Sequence, residues 1–221
     1  MRPAGARREA TRWRVIDAAV ELFARQGFAA TGIREIATAA SLSSSSLYEY
    51  MTTKHDLLVE IMRGTIEPLI VSGRTIARSA ASPAAALAAL AETHVWFHAT
   101  NAHATMVTDT EIRSLVDPGR DEIIGLRDAY ERIWRSTVTA GMRSGQFVVD
   151  DAPVTARTLI SMCTGIGGWY REGGRIGIDR LCRHHADLVL ATVRAHDTGS
   201  PLRRLDLVDV PAARPAWSIG H

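Results

Sequence analysis

Apolar residues recur every three to four positions along most of this chain, which is the period of a helix with one buried face. Val15, Ile16, Ala19, Leu22 and Phe23 follow that period in a run from about Arg8 to Gln26. Gly27 closes the run as the residue just past a helix C-terminus, and Phe28 packs back. Thr31 predicts the N-cap of a short helix through Ile33, Ile36, Ala37 and Ala40. Ser41-Leu42 makes a tight turn, and Ser43 caps the next helix. Leu47 and Met51 stand four apart and face one way. The serine run 43–46 therefore reads as the capped first turn of a helix. A linker would have no use for Leu47, Tyr48, Tyr50 and Met51 at those places.

The pattern continues as helix. Thr53 and Asp56 have the spacing of an N-cap and its acidic N3 partner. A long helix runs on through Leu57, Leu58, Ile61 and Met62 to about Ala77, with Pro68 to bend or divide it. Ser82-Pro83 opens another helix that runs to about Thr100, and a shorter one spans roughly 102–115. After Asp117-Pro118-Gly119 the period returns at Ile123, Ile124, Leu126, Tyr130, Ile133, Trp134, Val138 and Met142, and Gly145 stops it. Asp150 or Asp151 starts a helix to Tyr170, Gly173-Gly174 ends it, and Asp179 opens the last. Beyond Asp197 the chain carries Pro201, Pro211 and Pro215 without a long period. This reads as an extended or mobile tail that Trp217 could anchor. The expected architecture is all-α: a three-helix N-terminal head over 8–52, a larger helical body over 53–197 and a tail over 198–221.

Composition narrows the class. The chain has 221 residues, 46% hydrophobic and 23% charged, with a formal charge of +2. This is ordinary for a soluble globule and gives no whole-molecule field for nucleic acid. The charge is unevenly placed, however. Arg2, Arg7, Arg8, Arg12 and Arg14 crowd the first turns against Glu9, and a local basic arm can hold phosphates. The alternative is a solvated, frayed terminus. No apolar segment precedes Val15 as in a signal peptide, and no run is long enough to span a membrane, so a cytoplasmic protein without a membrane partner is expected. Cys163 and Cys182 cannot make a disulfide framework, and His94, His98 and His103 do not make a strong metal motif. No cofactor is expected. Lys54 is the only lysine.

Two short helices joined by a tight turn, the second capped and polar outside, form a helix-turn-helix. Its first member, helix two of the chain, would be Gly32–Ala40 and its recognition helix Ser44–Tyr50. Leu47 and Met51 would hold that helix inward, leaving Ser44, Ser45, Ser46, Tyr48 and Tyr50 near the surface. Hydroxyls suit phosphate oxygens and several base edges. Arg34 is the candidate for stronger base readout, or else a solvated surface arginine.

The spacing of Phe28, Thr31, Arg34-Glu35-Ile36-Ala37, Leu47-Tyr48, Tyr50-Met51, Thr53-Lys54 and Asp56-Leu57-Leu58 resembles the TetR family of bacterial repressors over about residues 12–62. The resemblance implies a DNA-binding head, a divergent ligand-binding body, a two-fold homodimer and a double-stranded, pseudo-palindromic operator. Carried over by position, Thr31, Tyr48 and Lys54 become phosphate contacts, and Arg34, Ser44, Ser46 and Tyr50 face the groove. The family often has glycine at Ser41 and Ser45, histidine at Tyr50 and phenylalanine at Met51. Ser41 must therefore manage its turn without glycine's freedom. In the body, Asp109–Leu115, Gly145-Gln146-Phe147 and Trp169-Tyr170 with Gly173-Gly174 resemble the branch that senses fatty-acyl or steroid-derived CoA thioesters. Ile160 and Thr164 depart from that branch, where arginine and tryptophan can turn toward the ligand.

The residues themselves offer Trp96, Met106, Tyr130, Trp134, Met162 and Trp169 as an apolar wall for a small effector, with core packing as the alternative for each. Arg127 or Arg171 could meet an acidic group at its mouth. Gly165, Gly167 and Gly168, read as part of a helix, permit close packing at a dimer interface or within the protomer. The function expected is a ligand-responsive regulator without catalytic residues. The competing readings are a helical enzyme using Cys163 with His94 or His98 on a small apolar or acyl substrate, and a DNA binder with no effector.

Overall fold

The computed structural model describes residues 4–208 and 214–215. The helices are α1 (Ala4–Gln26), α2 (Ile33–Ala39), α3 (Ser44–Leu47), α4 (Lys54–Ser79), α5 (Pro83–Thr100), α6 (Ala102–Thr110), α7 (Gly119–Arg143), α8 (Ala152–Thr164) and α9 (Ile178–Thr192). Single 3-10 turns follow α6 (Glu111–Ser114) and α8 (Gly165–Gly168). No helix among the described residues is long and apolar enough to cross a membrane. Arg2, Pro211 and Trp217 lie outside the described residues.

The described chain forms two compact units. One holds 4–65 with 102–125; the other holds 66–101 with 126–208 and 214–215. The chain therefore passes between units inside α4 and inside α7, and once more between α5 and α6.

In the first unit, α1 buries Val15, Ile16, Ala19, Val20, Leu22 and Phe23 and packs on α2 and α6. Ile36, Ala37, Leu47, Met51, Leu57, Leu58, Ile61 and Met62 complete this core. Gly27 sits at φ +84° and donates its N–H to Phe23 O, so it ends α1 as the sequence predicts. Thr31 is not the cap of α2. Its hydroxyl donates to Gly27 O at 2.8 Å, and Gly32 takes the N-cap position. The Gly32 N–H is satisfied instead by the Glu35 carboxylate at 2.7 Å. That contact draws the Glu35 carboxyl below its ordinary pKa, helped by the Gln26 amide.

The turn after α2 is a Schellman motif: Leu42 N–H reaches Ala37 O at 2.8 Å and Ser41 N–H reaches Thr38 O at 3.0 Å. Ser41 takes the left-handed position at φ +57°, which glycine adopts without steric cost. Ser43 then accepts the Ser46 N–H as N-cap of α3. The recognition helix is shorter than the predicted Ser44–Tyr50. α3 ends at Leu47, and the chain tightens through Glu49 N–H to Ser46 O and Tyr50 N–H to Leu47 O. Thr53 and Asp56 cap each other reciprocally at 3.0 Å to start α4. Pro68 does not divide that helix, because Ile66, Leu69 and Ile70 keep its apolar face buried on either side.

In the second unit, α5 is buried on every side from Ala84 to Val95, the burial expected of a helix without a polar stripe. α8 and α9 pack on it. Phe147 lies so close on α7 that a Cβ at Gly141 would overlap its ring. Gly165 to Gly168 fall in the 3-10 turn after α8, not in a helix interior. The segment after 197 is partly organised. His196–Asp197 (β1) pairs antiparallel with Ser200–Pro201 (β2). Arg204 pairs with the buried Glu92 of α5 at 2.8 Å, and its N–H reaches Asp187 of α9. Arg214 pairs with Asp179 and lies over the Trp96 ring.

Replacing Ser41 with glycine removes the left-handed strain and leaves both backbone bonds in place. The Ser41→Gly variant should be about 0.5–1 kcal/mol more stable, read as a rise in the urea midpoint without a change in slope.

Candidate DNA-binding surface and effector interior

The helix-turn-helix presents a small polar surface. Arg34, Ser44, Ser45 and Tyr48 are exposed, Tyr48 at 58%, and Ser46 and Tyr50 are half-buried. The serine hydroxyls are not equivalent. Ser43 Oγ donates to Ser46 Oγ and accepts the Ser46 N–H, so the contact with Ser45 at 2.9 Å must be a bond donated by Ser45. Ser43 is saturated and the Ser45 proton is committed, while Ser46 keeps its proton. The groups left to donate outward are Ser44, Ser46, Tyr48 and the Arg34 guanidinium. Part of the basic arm is spent inside the unit. Arg12 pairs with Glu60 at 2.6 Å, opposing the burial that raises the Glu60 carboxyl, and Arg8 reaches Glu49 O at 3.5 Å. Arg7 and Arg14 remain exposed.

Lys54 has a role that sequence reading did not find. Its ammonium donates to Phe28 O at 2.7 Å and Thr31 O at 2.8 Å, and lies 4.2 Å from the centre of the Phe28 ring. Two of its three donors thus hold the α1–α2 loop. On the other side of that loop the Phe28 N–H donates to Glu111 Oε1 at 3.1 Å, and Ser114 steadies the second carboxylate oxygen at 2.7 Å. Thr31 is buried, with its hydroxyl turned to Gly27 O. The loop that leads into the helix-turn-helix is therefore clamped between the start of α4 and the end of α6. Two further links hold α4: Thr65 to Thr108 of α6 at 2.8 Å and Arg63 to Glu122 of α7 at 2.6 Å.

The second unit encloses a polar cluster. His94 is buried, with Nδ1 at 3.1 Å from the Tyr130 hydroxyl and Nε2 at 3.1 Å from Thr164 Oγ1. It stacks on His98 at 4.0 Å and meets the Trp134 ring edge-on. Burial holds the His94 imidazole well below its ordinary pKa, so it is neutral, and burial pushes Tyr130 up. Of the predicted ligand residues, Tyr130 and Trp134 meet here, while Arg127, Met162 and Trp96 are half-buried in the same unit. Trp169 is 55% exposed, and Arg171 is exposed with its guanidinium on Tyr170 O, so neither joins the cluster. Met106 belongs to the first unit. Cys163 does not offer the nucleophile an enzyme would need: it is fully buried and burial pushes its thiol up to about 12. No group of metal-ligating side chains occurs among the described residues.

Two family models match the chain. That of bacterial regulatory proteins of the tetR family covers residues 15–61, and that of the tetracyclin repressor-like C-terminal domain covers residues 80–193. The chain belongs to the TetR family. It is a ligand-responsive, DNA-binding transcriptional regulator with the helix-turn-helix of that family. Among its relatives is the HTH-type transcriptional repressor KstR2 of Rhodococcus jostii, 30% identical over 181 residues, which are 81% of this chain and 89% of the relative. The structure of the ketosteroid transcriptional regulator KstR2 of Mycobacterium tuberculosis superimposes with a TM-score of 0.77 at 24% identity, over 84% of this chain and 95% of that one. AibR in complex with isovaleryl coenzyme A and operator DNA shares the fold, with a TM-score of 0.73 at 18% identity over 80% of this chain and 97% of that one.

Within this TetR protein, His94 and His98, read in the sequence only as metal or enzyme candidates, and Thr164, read only as a departure from the CoA-thioester branch, join Tyr130 and Trp134 in the cluster. A signal was present: two histidines four apart on a helix whose residues 84–91 are all alanine or leucine must find partners inside. Glu111 had no such signal, because its partner is a backbone N–H 83 positions away.

The Lys54 clamp and the buried histidines each generate an expectation for the TetR chain without DNA. Lys54→Met should lower the unfolding free energy by about 2 kcal/mol, since two carbonyls lose a charged donor. Unchanged stability, with a salt slope of DNA binding reduced by about one, would instead assign the ammonium to phosphate. His94 and His185 both lie below their usual pKa of 6.5, chiefly through burial. The unfolded chain therefore takes up protons first, and stability should fall as pH drops below about 6.5 and level off above it. Urea titrations between pH 5 and pH 8 should show that loss, reduced in His94→Gln.

Proposed function

We propose that this regulator acts in the cytoplasm as a homodimeric repressor of a pseudo-palindromic operator, and that an apolar metabolite bound in the second unit releases it. The observation that carries the ligand reading is the polar cluster of His94, Tyr130 and Thr164, with His98 stacked on it, buried among the apolar side chains of the second unit. Such a body with a few convergent polar groups is the usual form of a small-molecule site. The relatives support the effector class. One is a regulator named for ketosteroids, and a protein of the same fold holds an acyl coenzyme A together with operator DNA. A steroid-like or fatty-acyl effector, free or as a CoA thioester, is the class proposed.

Ser44, Ser46, Tyr48, Tyr50 and Arg34 are proposed to face the groove and its phosphates, with Ser45 and Thr31 holding the local backbone. Lys54 keeps one donor for a phosphate. Dimerisation through α8 and α9 is supported by exposed Val154 and Leu188 and by Gly165 and Gly168, where an added side chain would meet nothing within its own protomer. Coupling needs only that the ligand prefer one of two arrangements, since α4 and α7 each run from one unit into the other.

The test is a linked titration. Acyl-CoAs, free fatty acids and steroid acids are titrated against the protein alone and on DNA from its own promoter region. The effector should weaken operator binding by the same factor that operator DNA weakens effector binding. Tight ligand binding with no change in DNA affinity would remove the switch. Sedimentation at micromolar concentration should give twice the monomer mass, and a monomer with and without DNA would end the dimer proposal.

A further inference from the structure

Residues 194–208 lie beyond both matched family models, yet they are built into the second unit. Arg194 takes a left-handed φ of +49°, and Ala195 N–H reaches Leu190 O at 2.9 Å, which ends α9 and turns the chain back. His196 N–H donates to Gln146 O at 3.0 Å, and the Gln146 side-chain oxygen accepts the Ala84 N–H at the start of α5. Leu202 N–H returns to Ala195 O at 2.8 Å beside the β1–β2 hairpin. The anchor is Arg204. Its N–H donates to Asp187 at 2.8 Å and its guanidinium to Glu92 at 2.8 Å, with the two paired side chains only 14% and 9% exposed. Removing one partner of such a pair strands a buried charge, so this point of the segment is held fast.

The anchored segment holds two large apolar side chains in solvent. Leu205 is 87% exposed and Val208 is 75% exposed. Beside them an open groove of about 560 Å³ runs between α9 and the hairpin. Leu188 and Ala191 line it from α9, and Ala195, Pro201 and Leu202 line it from the segment. Neither Leu205 nor Val208 turns into this groove, although Arg203, two residues before Leu205, also lines it. Among the described residues of the second unit, the other exposed large apolar side chains are Val148, Val154, Trp169, Leu188 and Val71. All but Val71 stand on α8, on α9 or on the chain beside them. Exposed apolar side chains gathered on one part of a unit mark a surface that a partner covers.

Resting on the dimer reading above, we propose that residues 194–208 are part of the subunit interface, with Leu205 and Val208 of each protomer covered by a second copy of the chain and the groove beside α9 filled by an apolar side chain of that copy. The second copy is the occupant because the groove shares a wall with the α9 face. Whatever covers Leu188 and Ala191 also covers the groove and the segment that forms its other wall. A two-fold interface is self-complementary, so one surface must supply both knobs and holes. This surface has both, and its own fold does not bring them together: Leu205 and Val208 are the knobs, and the groove is the hole. The Arg204 anchor completes the argument. A segment already fixed by Glu92 and Asp187 pays little ordering entropy on association, which a loose tail would pay in full.

The experiment measures the dimer dissociation constant of the full-length chain by sedimentation equilibrium. The double variant Leu205→Asp with Val208→Asp changes only side chains that the protomer leaves in solvent, so each protomer keeps its fold. Its dissociation constant should rise by about tenfold or more, the size of one buried aliphatic side chain lost from an interface. Labelling gives a second readout. Cys163 and Cys182 are buried, so a thiol-reactive probe reports on an introduced cysteine. In the dimer, the Leu205→Cys thiol should react about tenfold more slowly than the thiol of Asp121→Cys, an exposed position on α7. Leu188→Asp tests the α8–α9 face separately, and it should break the dimer and free the Leu205→Cys thiol to react at the rate of the control. A dissociation constant unchanged within about twofold in the double variant, or equal labelling of the two thiols in the dimer, overturns this inference. The α8–α9 reading then stands if Leu188→Asp still breaks the dimer. A native chain that is monomeric at micromolar concentration, with and without DNA, overturns both.

Discussion

A chain that leaves a helix carries N–H and C=O groups that no helical ladder can satisfy, and residues 27–32 must do so directly before the helix-turn-helix. The position of that motif depends on how those groups are satisfied. Phe28 O and Thr31 O are taken by one ammonium, the Phe28 N–H by one carboxylate, and Gly27 O by the Thr31 hydroxyl. Lys54 belongs to the first turn of α4 and Glu111 to the turn after α6. The loop is thus a joint between two helices of the same compact unit, and the exposed serines of the helix-turn-helix inherit their place from it.

The same constraint shapes the second unit with the opposite chemistry. α5 is buried on all sides, so its few polar side chains cannot reach water. Glu92 answers this with Arg204, and His94 with Tyr130 and Thr164. The first solution draws residues 200–206 into the unit. The second makes a hydrogen-bonded chain that ends on the Ile160 carbonyl of α8, which gives the cluster a defined polarity. The exposed Trp169 and Arg171, by contrast, bring no polar group to this interior.

Helix period and end signals were legible because they are local. Gly27, Ser43, Thr53 with Asp56, Ser82-Pro83, Asp151 and Gly145 act within four residues of themselves, and each stands where the pattern put it. The spacing of Phe28 through Leu58 carried the family for the same reason, since it encodes one small unit of contiguous chain. Thr31 misled because two local solutions competed. A threonine can cap a helix or return its hydroxyl to the preceding turn, and Glu35 relieved it of the first task.

Contacts that join distant positions were not legible in the chain alone. Glu111 and Phe28, Arg204 and Glu92, and Thr164 and His94 are 83, 112 and 70 residues apart. A hydrogen-bond donor looks the same in sequence whether it faces DNA, water or a backbone carbonyl. Lys54 was therefore visible as a cation and invisible as a clamp. The sequence by itself determined the helices and the family, because those depend on period, capping and spacing within short segments. Only the tertiary structure decided which side chains are already committed, because partnership depends on the packing of remote helices.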